Sequence, residues 1–242
     1  DDIRPEAKDG VSLIKSAGIK IIMVTGDSKS TANSIAKEVG IIDNSNDIIL
    51  SSKELEALND TELKKIFPNL KVVARALPED KKRLVNISKE LNYVTGMTGD
   101  GVNDAPALKN ASIGVAMGSG TDVAKESGDM IIQDDNFETI VTAIREGRKI
   151  YDNIKRFVKF QVSTNVGAIL TIVGTSIFML PVPFNPVQLL WINIVMDGPP
   201  AQTLGMEGSE RNIMTRQPET GDILNKKVLI KILHIYVRLG LL

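Results

Sequence analysis

From Phe160 to Met196 the chain carries not one charged side chain. A bilayer core about 30 Å thick is crossed by roughly 20 apolar residues in a helix, so this stretch supplies two spans. Phe160 to Leu180 is an uncharged run of 21 residues, ended by Pro181, Pro183 and Pro186 with Asn185 among them. A second apolar run then leads through Trp191 to Met196. Lys155, Arg156 and Lys159 precede the first span, and Arg211, Arg216, Lys226 and Lys227 follow the second. Positive charge on both outer flanks puts those flanks in the cytosol and the proline loop on the other side.

The rest of the chain is of a different kind. Up to about Lys159 charges are spread throughout, as in a soluble domain. Over all 242 residues, 29 basic and 30 acidic side chains nearly cancel, so no charge excess points to nucleic acid. With no cysteine, disulfides and thiolate metal sites are excluded. The start, Asp1-Asp2-Ile3-Arg4-Pro5, has neither the basic head nor the apolar core of a signal peptide. It lacks an initiator Met, and the end falls inside another apolar segment, Val228 to Leu242. The sequence is therefore expected to be a fragment of a longer protein.

Within the soluble part, β-branched runs alternate with amphipathic ones. Ile19–Val24, Lys71–Ala74, Tyr93–Met97, Ile113–Ala116 and Met130–Ile132 read as strands. Ser28–Val39, Pro78–Leu91 and Ala105–Asn110 read as helices, the first stopped by Gly40 and the second opened by a proline. The alternation predicts an α/β fold, a doubly wound parallel sheet covered by helices. In such sheets ligands bind at the carboxyl ends of the strands.

The unusual residues fall at those ends. Thr25-Gly26-Asp27 follows the first strand, where a hydroxyl and free N–H groups at a helix start suit a phosphoryl oxygen. It is also an ordinary Gly-Asp turn with a cap. In Thr98-Gly99-Asp100-Gly101-Val102-Asn103-Asp104, two carboxylates four apart on a Gly-rich turn can face one point. Hard oxygen ligands of this kind suit Mg²⁺; the other reading is a surface turn capped by Asp104. In Pro78-Glu79-Asp80-Lys81-Lys82 a lysine stands at a helix start, against the dipole. It makes sense beside an anion, though a solvated helix face also accounts for it. Together, a hydroxyl, an ammonium and a metal carboxylate are the equipment for stabilising a transferring phosphoryl group.

Met97-Thr98-Gly99-Asp100-Gly101-Val102-Asn103-Asp104-Ala105-Pro106-Ala107-Leu108-Lys109 resembles the hinge segment of P-type ATPases, members of the haloacid dehalogenase superfamily. Val24-Thr25-Gly26-Asp27, Ala74-Arg75 through Lys81, and Ala116-Met117-Gly118-Ser119-Gly120-Thr121-Asp122-Val123-Ala124 continue the resemblance. It implies ATP-driven ion transport through an aspartyl phosphate, with Mg²⁺ and ATP as cofactors. By matched position Thr25, Gly26, Asp27, Lys81 and Asn103 are the implied catalytic residues, and Asp100 and Asp104 the Mg²⁺ site. No aspartate here stands in an Asp-Lys-Thr-Gly context. The nucleophile, the nucleotide-binding and actuator domains and the earlier membrane helices are thus expected upstream, on the same polypeptide.

The organisation this implies is the C-terminal portion of a phosphorylation domain over 1–136, a stalk helix over 137–159, and a transmembrane hairpin over 160–204. The hairpin's spans are expected at about 160–180 and 186–204. A cytosolic loop over 205–227 and the start of a further span over 228–242 complete the chain. Asn165 lies in the first span, and Asn193 and Asp197 share one face of the second. An aspartate inside a membrane is a functional hypothesis by default, although Asp197 could also sit at the interface at the helix end. Gly198-Pro199-Pro200 should unwind the helix and free carbonyl oxygens. Gln202 is a selectivity candidate or a packing polar group.

Gln188 through Gln202, with Arg216-Gln217-Pro218, resembles the secretory-pathway Ca²⁺/Mn²⁺-transporting ATPases. The resemblance implies Ca²⁺ or Mn²⁺ as the transported ion, bound by Asn165, Asn193 and Asp197. It also implies a multi-pass protein of Golgi or other secretory-pathway membrane, with its soluble part cytosolic. Two-site reticulum pumps have Glu where Ala168 stands and Thr where Met196 stands, so a single ion site is expected. Asn165 departs from the serine common in the secretory group, which leaves a plasma-membrane or bacterial single-site pump open. A pump for Na⁺, K⁺ or H⁺, a soluble phosphatase of the same superfamily and a membrane anchor without catalysis are the rival classes. The uncharged spans oppose the phosphatase, and the phosphate-site residues oppose the anchor.

Overall fold

The computed structural model describes residues 5–208 and 212–219, and beyond them Ile223, Leu224, Lys226, Val228, Ile230 and His234. These fall into two compact units, Asp1–Ala143 with Met214–Gln217, and Ile144–Ile213 with Pro218–Leu242.

In the first unit, helices α1 (Pro5–Ser16), α2 (Lys29–Glu38), α3 (Ser52–Ala57), α4 (Asp60–Ile66), α5 (Pro78–Glu90), α6 (Ala105–Asn110) and α7 (Asp122–Ser127) alternate with strands. The strands are β1 (Met23–Val24), β2 (Ile48–Ser51), β3 (Leu70–Ala74), β4 (Gly96–Gly99), β5 (Ile113–Met117) and β6 (Met130–Ile132). All pairings are parallel, in two three-stranded sheets ordered β1-β3-β2 and β4-β5-β6. The expected parallel α/β arrangement is therefore present, with β1 and β4 each at a sheet edge.

Two strands begin later than their apolar runs suggest. Ile19 to Ile22 lie outside β1, whose ladder pairs only Met23 with Val72 and Val24 with Val73. Tyr93 to Thr95 likewise lie outside β4, because its partner β5 begins opposite Gly96. The polar segment between Asn44 and Phe67 supplies β2, α3 and α4. Its helices are fixed by reciprocal caps, Ser51 with Glu54 and Asn59 with Glu62.

The core lies on both faces of β3, where Leu70, Val72, Val73 and Ala74 are fully buried. Val72 and Ala74 join Val11, Ala32, Ala36, Val39 and Ile41 on one side. Leu70 and Val73 join Leu55, Leu63, Phe67, Leu84 and Ile87 on the other. Strict alternation would put Leu70 with Val72. A register shift between Ile48 and Ile49 places it with Val73 instead. Each fully buried Val or Leu contributes about 1.5–3 kcal/mol, so β3 anchors the sheet that carries the Thr25 loop.

Helix α8 (Phe137–Ile177) is one helix through the expected stalk and most of the first span. Among the described residues it is the one helix long and apolar enough to cross a membrane. Its hydroxyls bend back onto its own carbonyls, Thr164 to Phe160 (3.1 Å), Thr171 to Gly167 (2.9 Å) and Ser176 to Ile172 (2.8 Å). Polar groups in an apolar medium are satisfied within the helix in this way. Met179, at φ +53°, ends the helix, and the Leu180 N–H closes onto Thr175 O. The second expected span consists of two shorter helices, α9 (Pro186–Asp197) and α10 (Pro199–Gly205), with Gly198 between them. Helix α9 starts with a reciprocal Asn185–Gln188 cap and Pro186 in its first turn.

Candidate functional site

Thr25 directly follows β1 at the carboxyl edge of the first sheet, its N–H bonded to Val73 O. Its hydroxyl donates to Asp27 Oδ2 at 2.8 Å and accepts from the Asp27 N–H at 3.2 Å, which closes a tight loop over Gly26. Ser28 caps α2 directly afterwards. The loop is pinned to the one after β3, because Arg75 N–H donates to Asp27 O and Ala76 N–H to Thr25 O, both at 2.9 Å. Arg75 takes φ +49° to make its bond. A non-glycine residue held there stores local strain, and such strain clusters at functional sites.

The loop after β3 leads into α5, whose first turn carries Asp80 and Lys81. Asp80 is buried and accepts from Ser52 Oγ (2.6 Å) and the Leu77 N–H (2.8 Å), which fixes the start of α5 against α3. Lys81 extends to Asp104 Oδ1, with side-chain exposures of 18% and 7%. The other Asp104 oxygen accepts the N–H groups of Asp100 and Gly101, both at 3.3 Å. A Cβ at Gly99 would stand 2.5 Å from Asp104 Cβ, so this approach requires glycine there. Asp100 O accepts the Thr121 N–H at 2.8 Å, and a Cβ at Gly120 would meet that same oxygen at 2.8 Å.

The loops bearing Thr25, Lys81 and Asp100 are thus joined through Arg75, Ala76 and Asp104, although no direct bond links Thr25 to Lys81 among the described residues. Asp100 and Asn103 are exposed. Asp104 is not a second open metal carboxylate. It is buried, and both its oxygens are engaged, by the ammonium and by two N–H groups. Of the two carboxylates, that of Asp100 is the one left exposed. Beside it lies a cavity of about 240 Å³, lined also by Glu6, Ser119 and Asp135. Ala7, Met117, Asn136 and Phe137 complete its walls, and the carboxylate and hydroxyl oxygens among the lining groups are donors of the hard kind that suits Mg²⁺, which keeps several waters.

Sequence reasoning missed Asp80, Arg75 and Asp135. Asp135 holds the Ser119 N–H with both oxygens, at 3.1 and 3.2 Å, from a left-handed backbone (φ +51°). Its neighbour Asp134 has its carboxyl lowered below the ordinary range, first by the Thr139 hydroxyl and then by the Asn136 N–H. The signal was there in Gln133-Asp134-Asp135-Asn136, polar residues set directly between a strand and a long helix.

In the second unit Asn165 on α8 and Asn193 on α9 are both exposed. Asp197 closes α9, and Gly198, at φ −72° and ψ −87°, breaks the path into α10. The side chains of Asp197 and Gln202 lie outside the described residues.

Residues 1–112, and again 81–144, match the haloacid dehalogenase-like hydrolases. Residues 181–241 match the C-terminal region of cation transporting ATPases. The chain is 45% identical to "Calcium-transporting ATPase 1" of Saccharomyces cerevisiae over 237 residues, 96% of this chain and 25% of the relative. This chain belongs to the P-type Ca²⁺-transporting ATPase family. A second relative, "Calcium-transporting ATPase 1" of Lactococcus lactis, is 49% identical over 90% of the chain and 25% of its own length. The human "Calcium-transporting ATPase type 2C member 1" is 44% identical over 96% of the chain and 26% of its length. The crystal structure of a zinc-transporting PIB-type ATPase in its E2.Pi state superposes with a TM-score of 0.59 at 27% identity, over 85% of this chain and 27% of that one. The chain thus spans about a quarter of the length of these P-type relatives.

Proposed function

We propose that this chain is part of an ATP-driven pump that moves Ca²⁺ across a membrane through an aspartyl-phosphate intermediate. The observation that carries the reading is the joined set of loops after β1, β3 and β4. An ammonium at Lys81, a hydroxyl at Thr25 and an open carboxylate at Asp100 stand there on separate, mutually braced loops. Thr25 and Lys81 hold the phosphoryl oxygens, with Gly26 and Asp27 shaping the Thr25 loop. Asp100 holds Mg²⁺, and Asn103 lies beside it. Asp104 keeps Lys81 and the Asp100 backbone in place. Mg²⁺, when bound, offsets the charge of the transferring phosphoryl group. The nucleophilic aspartate and the ATP-binding domain belong to the part of the pump outside this chain.

In the membrane part we assign Asn165, Asn193 and Asp197 as ligands of the transported ion and Gln202 to its selection. Backbone carbonyls freed at Gly198 add oxygens. The same hard donors suit Mn²⁺, which makes it the second ion of this reading. Ala168 offers no oxygen and Met196 only a thioether, so one ion per ATP is expected. The relatives come from eukaryotes and a bacterium. The reading accordingly places the multi-pass pump in a secretory-pathway membrane, or in a plasma membrane, with its first unit in the cytosol.

Two variants of the full-length protein test it together. Asp197→Asn should abolish ion-dependent phosphorylation from ATP yet spare phosphorylation from inorganic phosphate, because only an ion ligand is lost. Asp100→Asn should suppress both by about 100-fold or more, the scale of losing one preorganised charge-stabilising group. Near-normal phosphorylation in Asp100→Asn, or loss of both reactions in Asp197→Asn, would overturn the assignments.

A further inference from the structure

The carboxyl-terminal end of α10 is held by side chains of α8. Asn153 is only 5% exposed, and its amide nitrogen donates to Gly205 O at 3.0 Å and Glu207 O at 3.2 Å. A helix leaves its last carbonyls without partners of its own, and a buried amide such as that of Asn153 is costly to leave unsatisfied. Asn153 supplies those partners from another helix. One turn further along the same face, Arg156 Nη1 donates to Glu207 Oε2 at 2.7 Å and to Asn153 Oδ1 at 3.5 Å. The guanidinium therefore fixes both the carboxylate and the direction in which the amide points.

This grip falls where α10 most needs it. The helix has 7 residues and follows Gly198, whose backbone is not helical, so α9 does not dictate its direction. Arg156 and Glu207 are 30% and 53% exposed, so as a surface ion pair they add little to stability. What the pair and the amide set together is register, the axial position of α10 relative to α8. Both partners of every bond named lie in the second unit.

We propose that Asn153 and Arg156 are positioning residues that clamp α10 to α8, so that a displacement of α8 reaches the Gly198 break, next to Asp197, through Glu207. The transport reading above supplies what that displacement does; the clamp itself stands on the hydrogen bonds alone.

The test uses the full-length protein in detergent, with Arg156→Glu, Glu207→Arg, the exchanged pair and Asn153→Ala. Three quantities are measured: the Ca²⁺ concentration for half-maximal phosphorylation from ATP, phosphorylation from inorganic phosphate, and amide hydrogen exchange across residues 203–208. Each single reversal should raise the half-maximal Ca²⁺ concentration by about fivefold or more, the lower end of ordinary coupling between sites. It should speed exchange across 203–208 and leave phosphorylation from inorganic phosphate unchanged. The exchanged pair should recover both altered quantities to within about twofold, as a true pairwise interaction requires. Asn153→Ala should shift both in the same direction. Single reversals with wild-type Ca²⁺ dependence, or an exchanged pair as impaired as the singles, would overturn the proposal. A wild-type protein without Ca²⁺-dependent phosphorylation would sink the transport reading instead. Exchange across 203–208 would then decide the clamp, and unaltered exchange in all variants would reject it.

Discussion

The loops at the carboxyl ends of β1 and β4 hold all but Asp100 and Asn103 of their candidate groups in pairs, while the apolar helices leave Asn165 and Asn193 open. In the first region Lys81 meets Asp104, which also takes two N–H groups, and Thr25 exchanges hydrogen bonds with Asp27. In the second, the hydroxyls of α8 turn back onto their own helix, yet Asn165 and Asn193 stay exposed. On the function proposed above, the difference follows from what each region would hold. Charge that develops on a phosphoryl group is best met by donors already fixed, which need no reorganisation as it forms. An arriving Ca²⁺ needs six to eight oxygens with free lone pairs, so its ligands cannot already be committed to one another.

If the first region is stabilised by its pairs, breaking one should show in stability as well as in chemistry. Asp104→Ala removes the partner of a largely buried ammonium and the acceptor of two N–H groups. Removing one member of a buried pair costs about 3–5 kcal/mol. The 18% exposure of Lys81 puts this case near the lower bound. Chemical denaturation of the purified protein should record the loss, and a cost below about 1 kcal/mol, the range of an exposed pair, would erase the contrast between the regions.

The second region should behave the other way round. Asn165→Ala removes an amide proposed to serve the ion and not the packing, so stability should change by no more than about 0.5 kcal/mol. Loss of one ion ligand should still weaken Ca²⁺ binding by about tenfold, equivalent to about 1.4 kcal/mol. Equilibrium binding of radioactive Ca²⁺ to the full-length pump reads this directly, and it also counts bound ions. One Ca²⁺ per phosphorylation site is expected, and two would reject the single-site reading. A large stability loss without an affinity change would recast Asn165 as a packing residue.

Sequence legibility differed between the regions in the same physical way. Thr25, Lys81 and Asp100 could be singled out because strand-to-helix turns have strong local signals in glycine, proline and aspartate. The pairing of Asp104 could not be read, because it is set by Lys81, which reaches it from another helix. Asp80 and Arg75 were missed for the same reason, their partners Ser52 and Asp27 lying far off in the chain. The bulge at Ile48/Ile49 that carries Leu70 to the opposite core is a pairing event with no signal in either strand alone. In the apolar part the uncharged run marked the second half of α8, and Gly198-Pro199-Pro200 marked the point where α9 gives way to α10. The contacts of Asn153 and Arg156 with the segment after α10 were not readable, since they join residues about fifty positions apart.

The smallest expected effect concerns a charge elsewhere in the first unit that has no carboxylate partner among the described residues. Lys20 donates to Phe67 O and stands 4.3 Å above the Phe67 ring. Burial first, and then repulsion from Lys71, lower its pKa from the ordinary 10.5 to about 8. Below pH 8 both the folded and unfolded chains hold the proton, and the cost of burying the charge is present in full. Between about 8 and 10.5 the unfolded chain still holds a proton that the folded one has released, so this group makes stability rise with pH. Above 10.5 neither holds it, and the rise ends. Lys20 is only half-buried, so solvent screening keeps the slope shallow. Lys20→Met retains the apolar stem and removes the titration. Denaturation across this range should therefore show wild type gaining stability relative to Lys20→Met as pH increases. A difference that stays constant with pH would mean that Lys20 titrates alike in both states, and that a cation in this unit needs no paired carboxylate to keep its ordinary pKa.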